Sequence, residues 1–257
     1  MANQKKTSEP QGSKTDMRIV SLLRALLFPP RCVGCGELLE AFADPSAIFC
    51  PLCRTSWETV LTEAAENASE DAARGLVYLT FYRSGHTEGI PERLIYHLKH
   101  KGDPRSFDFV AARLAPRVLQ AAETLPTREI PPDADDSLLF TYPPRRPSAV
   151  REDGFDQAKR MAQALARACG GEFAPLIRRT RRRGKAQKEL DAEGRAKNAN
   201  SAYEIEEAAA EIVSHRIVVI CDDVCTTGAT LNRCAELLIG AGASLVILCT
   251  VAKTHTG

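Results

Sequence analysis

Ile217-Val218-Val219-Ile220-Cys221-Asp222-Asp223-Val224-Cys225-Thr226-Thr227-Gly228-Ala229-Thr230 is the stretch on which the fold turns. It opens as a continuous apolar run, the pattern of a strand buried on both faces of a parallel sheet. Two carboxylates follow where that strand is expected to end, then small hydroxyl residues and a glycine. Beyond Thr230, residues Leu231, Cys234, Ala235 and Leu238 recur at helical spacing. The local reading is strand, acidic pair, tight turn, helix.

The chemistry of that order is specific. Thr226, Thr227 and Thr230 offer hydroxyls, and Gly228 lets the backbone close on a ligand. The turn's backbone N–H groups and the start of the following helix favour an anion. Asp222 and Asp223 would repel the same anion and, as acceptor-only groups, suit sugar hydroxyls. A sugar phosphate with Mg²⁺ nearby meets both halves. The plainer alternative is a buried strand and a polar turn, with Asp223 or a threonine capping the helix. The order of hydrophobics, two acids and small residues resembles the phosphoribosyl-pyrophosphate (PRPP) motif of type I phosphoribosyltransferases.

Outward from this motif the chain alternates. Residues 76–82, 138–142, 172–177, 203–205 and 245–251 read as strands, and 90–101, 107–122 and 149–168 as helices. Such alternation predicts a doubly wound, mostly parallel α/β domain over 76–257. Residues 58–75 read as a linker or surface helix.

Upstream, Cys32-Val33-Gly34-Cys35 and Cys50-Pro51-Leu52-Cys53 are separated by 14 residues. Each pair places two thiolates on one turn, and two such turns complete a tetrahedral site. Cys32, Cys35, Cys50 and Cys53 are therefore candidate ligands of a structural zinc in a small ribbon with a short hairpin. The ribbon, with an amphipathic helix over 17–28, is expected to span 17–60. The polar tail 1–16 is expected to be disordered.

Composition excludes several classes. The 257 residues carry a formal net charge of +1, so nothing global points to nucleic acid or a membrane surface. No apolar run is long enough to span a bilayer and no signal peptide is evident, which gives a cytoplasmic reading. Nine cysteines, four of them in paired motifs, favour metal binding over a disulfide framework. The one strongly biased segment is 178–185, with six cations in eight positions. It reads either as a lid carrying cations onto pyrophosphate or as a patch for nucleic-acid phosphates.

The whole order is similar to the ComF family of competence-associated, phosphoribosyltransferase-like proteins, which have an N-terminal zinc ribbon. The matching pieces are Leu27-Phe28-Pro29-Pro30-Arg31-Cys32, Leu98-Lys99-His100-Lys101-Gly102, Gly154-Phe155-Asp156-Gln157, Gln187 with Leu190, Arg195 with Asn198, and the loop from Asp222 to Thr230. One piece departs. The family's segment is Arg-Gly-Phe-Asn-Gln, where this chain has Asp153-Gly154-Phe155-Asp156-Gln157, with Arg151 the nearest replacement cation. The resemblance implies PRPP and Mg²⁺ as ligands and, if active, transferase chemistry. Asp222 and Asp223 would hold the ribose, and Thr226, Thr227, Gly228, Ala229 and Thr230 the 5′-phosphate. Arg145, Arg146, Arg182, Arg183 and Lys185 would meet pyrophosphate. It also implies an alternative, a non-enzymatic accessory of DNA uptake that binds single-stranded DNA or a DNA-uptake helicase. The acceptor substrate and the oligomeric state stay open.

Overall fold

The computed structural model of the chain describes residues 29–39, 44, 46–128, 131, 135, 137–180 and 202–254. The tail expected over 1–16 and the helix expected over 17–28 lie outside the described residues.

Six strands form one parallel sheet: β1 (Leu76–Val77), β2 (Thr80–Tyr82), β3 (Leu139–Thr141), β4 (Glu172–Phe173), β7 (Ile217–Cys225) and β8 (Leu245–Thr254). Their order is β1-β8-β7-β3-β4, and β2 continues along β8 past β1. A separate antiparallel ribbon pairs β5 (Ile177–Arg179) with β6 (Tyr203–Ile205). The helices are α1 (Pro51–Ala72), α2 (Ile90–His100), α3 (Pro104–Thr124), α4 (Pro147–Asp153), α5 (Gln157–Cys169), α6 (Ala209–Val213) and α7 (Ala229–Gly240).

The pleat of β7 explains its apolar run. Val219 and Cys221 face a core built with Trp57 of α1, Leu94 and Leu98 of α2, Leu114 of α3 and Leu165 of α5. Val218 and Ile220 face the opposite core, with Val213 of α6 and Cys234 and Leu238 of α7. All four β7 side chains are fully buried. Each such aliphatic side chain contributes about 1.5–3 kcal/mol, so both faces of this strand must be apolar where the helices cover it. The doubly wound α/β architecture expected from the alternation is the observed one.

Three boundaries differ from the periodicity. The strand expected over 76–82 is interrupted at Tyr78, whose carbonyl is drawn to the Arg117 guanidinium and whose hydroxyl bonds Asp71 at 2.9 Å. The helix expected over 149–168 is two helices, because Gly154 sits left-handed at the end of α4 and Asp156 caps α5. Of the two readings of 58–75, the helix is the observed one: the segment continues α1 to Ala72, and the buried Trp57, Ala64 and Ala68 of that helix pack on the domain.

Chain direction fixes where a ligand crevice opens. From β3 the chain passes through α5, on one face, to β4 on one side. From β7 it passes through α7, on the other face, to β8 on the other side. The adjacent pair β3 and β7 is therefore the point where the winding reverses, and ligands of open α/β sheets bind beyond the carboxyl ends of such strands. Those ends carry Arg145 and the pair Asp222–Asp223.

Candidate functional site

The acids do not follow β7 but belong to it, since the strand runs to Cys225 and Asp222 pairs in register with Thr250. Parallel pairing with β8, which runs on to Cys225 after the pairing with β3 ends at Ile220, keeps this backbone extended past the apolar run. Adjacent strand residues point to opposite faces, so the two carboxylates part. Asp223, 7% exposed, lies on the α2 and α5 side. Its Oδ2 accepts from Gln157 Nε2 at 3.2 Å and lies 3.5 Å from Lys99 Nζ, while its Oδ1 accepts from the Val224 amide at 2.7 Å. Asp222 lies on the α7 side, where burial first and the charge of Asp223 second raise its carboxyl well above the usual carboxylate range.

Gln157 is a residue that sequence reasoning left without a role. One half of its amide orients Asp223, and its Oε1 is buried with no partner among the described residues. A buried acceptor left without a partner beside Asp223 is matched to a donor such as a hydroxyl.

The turn after β7 has the shape expected of an anion cradle. Gly228 takes φ +72° and is the N-cap of α7, a conformation that an L side chain adopts at a cost of about 1–2 kcal/mol. Thr226 and Thr227 are exposed, and their amides have no hydrogen-bond partner among the described residues. Ala229 and Thr230 form the first turn of α7. Cys225, the last residue of β7, is buried, and burial raises its thiol above the ordinary value despite the nearby helix start.

The rigid turn after β3 brings Arg145 to the same end of the sheet, where it does not stand free. Its Nη1 donates to Asp153 Oδ2 at 2.8 Å, and Asp153 Oδ1 meets His100 Nδ1 at 2.9 Å. These two partners, His100 first, hold the Asp153 carboxyl below its ordinary value. The acid that replaces the family's arginine thus clasps Arg145 to α2. The other departure, Asp156, caps α5 by accepting from the Ala158 and Lys159 amides and also takes the Arg145 amide. Arg146 is exposed at the start of α4, and Arg151 is exposed in its last turn. Arg182, Arg183 and Lys185, with Gln187, Leu190, Arg195 and Asn198, lie outside the described residues, between the two strands of the β5–β6 ribbon. Of the basic run's described members, Arg178 pairs with Glu204 at 2.6 Å and Arg179 donates to the Tyr203 hydroxyl at 2.8 Å.

The four paired cysteines converge. The Sγ atoms of Cys32, Cys35, Cys50 and Cys53 all lie within 4.8 Å of one another, and those of Cys35 and Cys50 are 3.7 Å apart. A tetrahedral zinc–thiolate site spaces its sulfurs by about 3.8 Å, so the donor set fits that ion. Gly34 is needed here, because a Cβ on it would lie 2.7 Å from Cys53 Sγ. Burial opposes ionisation of Cys32, but the Cys50, Cys35 and Gly34 amides outweigh it and bring the thiol down to about 7. Burial and the three neighbouring sulfurs push Cys53 up instead. A cluster with one thiol eased toward ionisation and another held back by its neighbours is a site that a divalent cation would complete. The expected hairpin is found only around the first pair, where Arg31 and Leu38 bridge. The second pair occupies the start of α1, because Pro51 favours the first helical position.

With this geometry in view, comparison with known proteins adds the class. The model of the phosphoribosyl transferase domain matches residues 149–257. No curated protein matches. Among solved structures, the chain is similar to the allosteric regulatory enzyme of purine biosynthesis at 15% identity, covering 61% of this chain and 30% of that one, with TM-score 0.35. It is similar to the glutamine PRPP amidotransferase from B. subtilis, complexed with ADP and GMP, at 14% identity, with the same coverages and TM-score 0.34. For the Trypanosoma cruzi hypoxanthine phosphoribosyl transferase the identity is 11%, the coverages 57% and 64%, and the TM-score 0.36. The chain spans 30% of the length of the first two. The domain match and the parallel sheet make the fold of the α/β body phosphoribosyltransferase-like. No described helix is long and apolar enough to cross a membrane.

Proposed function

We propose that this chain binds PRPP with Mg²⁺ at the carboxyl ends of β3 and β7 and transfers its phosphoribosyl group. The observation that carries the reading is the placement of an acid pair, then a left-handed glycine and a helix start, at the reversal point of a parallel sheet. Asp223, held by Gln157 and Lys99, and Asp222 from the opposite face would accept from the ribose hydroxyls, with Gln157 Oε1 as a further acceptor. The Thr226 and Thr227 amides, the threonine hydroxyls and the start of α7 would cradle the 5′-phosphate. Arg145, Arg146 and the cations Arg182, Arg183 and Lys185 would face pyrophosphate.

In the reaction, the acceptor's lone pair forms the new bond to the sugar's C1. The C1–O bond to pyrophosphate breaks, its electron pair leaves with pyrophosphate, and the acceptor's proton passes to a base or solvent. Bound Mg²⁺ supplies charge neutralisation on the departing oxygens. The chain would contribute cations to the same developing charge, and a closed lid would keep water from the activated sugar.

Membership of the ComF family, a structural zinc on the four cysteines and a cytoplasmic location belong to the same proposal, supported by the residue order and the thiol cluster. The DNA-uptake alternative draws less support, since Arg178 and Arg179 already have protein partners. Calorimetry with PRPP and Mg²⁺ tests the reading. We expect saturable heat, and an affinity about 100-fold weaker for Asp223→Asn, about 2.7 kcal/mol. Folded wild-type protein that gives no heat would rule it out.

A further inference from the structure

Between the cysteine site and the acid pair lies a cleft of about 620 Å³ that neither explains. Its size falls in the range that encloses a small molecule. One wall is the backbone of the first cysteine turn, fixed to α2 by Arg93, whose guanidinium donates to the Gly34 carbonyl. The other wall is α2 itself, with Tyr96, His97 and Lys99, and Tyr82 closes the end at β2.

The lining has a consistent character. Lys99 Nζ lies 5.9 Å over the Tyr82 ring and 3.5 Å from Asp223 Oδ2, so the cleft opens directly onto the acid pair. Tyr96 is 52% exposed, a large aromatic presented to whatever enters. Burial, and then the charge of Lys101, lower the His97 imidazole below its ordinary value, which favours a neutral ring able to take a proton. Glu92, the one carboxylate among the described lining residues, turns back on its own helix start and accepts from the Arg83 amide at 3.0 Å. The rest of the lining sets the aromatic rings and Lys99 among apolar and small residues such as Val33, Ile95 and Thr87, and the cysteine turn and α2 wall it on two sides.

Building on the PRPP reading, we infer that this cleft receives the phosphoribosyl acceptor, and that the acceptor is a planar aromatic ring bearing an acid group. The tyrosines supply flat faces for the ring, and Lys99 supplies the cation for its acid. A molecule seated there meets the sugar held by Asp223.

The test uses the full, metal-loaded chain with PRPP and Mg²⁺, and titrates four probes: nicotinate, its neutral isostere nicotinamide, the non-aromatic cyclohexanecarboxylate, and a ten-residue oligo-dT. Nicotinate should bind at least tenfold more tightly than either small control. Tyr96→Ser and Tyr96→Leu should each weaken it at least fivefold while PRPP affinity stays unchanged. PRPP binding with the three small probes alike, or with both Tyr96 variants silent, overturns the cleft assignment and leaves the PRPP reading standing. Failure of PRPP itself to bind removes both. Displacement of nicotinate by the oligonucleotide would assign the cleft to nucleic acid and overturn the inference as well.

Discussion

The cysteine cluster and the end of β7 both gather polar donors at one place, and they do so in opposite ways. In the cluster, four sulfurs face one another within 4.8 Å, and the backbone packs so tightly on them that a Cβ on Gly34 would lie 2.7 Å from Cys53 Sγ. At the end of β7 the groups are left unsatisfied: the amides of Thr226 and Thr227 and the buried Oε1 of Gln157 have no partner among the described residues. A donor set that closes on itself serves one small ion and holds structure. A set left open at a sheet's reversal point serves a ligand that arrives and departs.

That contrast can be broken most forcefully at the metal. Removing it with a chelator should cost about 4 kcal/mol if the ion is held with free metal at a thousand times its dissociation constant. The drop in Tm should be roughly 10 °C, and Cys53→Ser should match it without chelator; a Tm unmoved by either would deny the closed site its structural role. A smaller effect sharpens the open site. Gln157→Leu should weaken PRPP about tenfold in calorimetry, about 1.4 kcal/mol, with little change in Tm; an unchanged affinity would show that Oε1 is not used. The smallest effect concerns the clasp between them. Asp153 has its carboxyl pKa lowered by His100 and Arg145. Its contribution is therefore present above the unfolded carboxylate pKa and is lost as pH falls through the lower folded value. Asp153→Asn should flatten part of the acid limb of a stability profile below about pH 4, and an unaltered limb would show that the clasp adds nothing.

Much of this was legible in the residues, and the misreadings are instructive. The apolar run before Asp222 marks a two-sided strand because both core faces demand it. The paired cysteines mark their cluster because spacing alone brings each pair together. The single helix expected over 149–168 failed although its break was written: Gly154 and Asp156 are an end cap and a start cap two residues apart. The acids were expected beyond the strand because periodicity registers burial, whereas the strand persists through backbone pairing with β8. Least legible were the contacts that join distant segments. Nothing local in Gln157 shows that it meets Asp223, 66 residues on, and nothing in the pattern shows that β3 lies beside β7 rather than at an edge.

The position of β3 and β7 has a further consequence. Each is paired on both sides over part of its length, β3 at Leu139 and Phe140 and β7 at Val218–Ile220, so the base of the floor beneath the crevice has no margin that can peel away. Whatever the outer walls do on meeting a visitor, the groups on that floor keep their spacing. Selectivity can then be rewritten in the helix and knuckle that flank it, as one changes a lock's wards without recasting its plate.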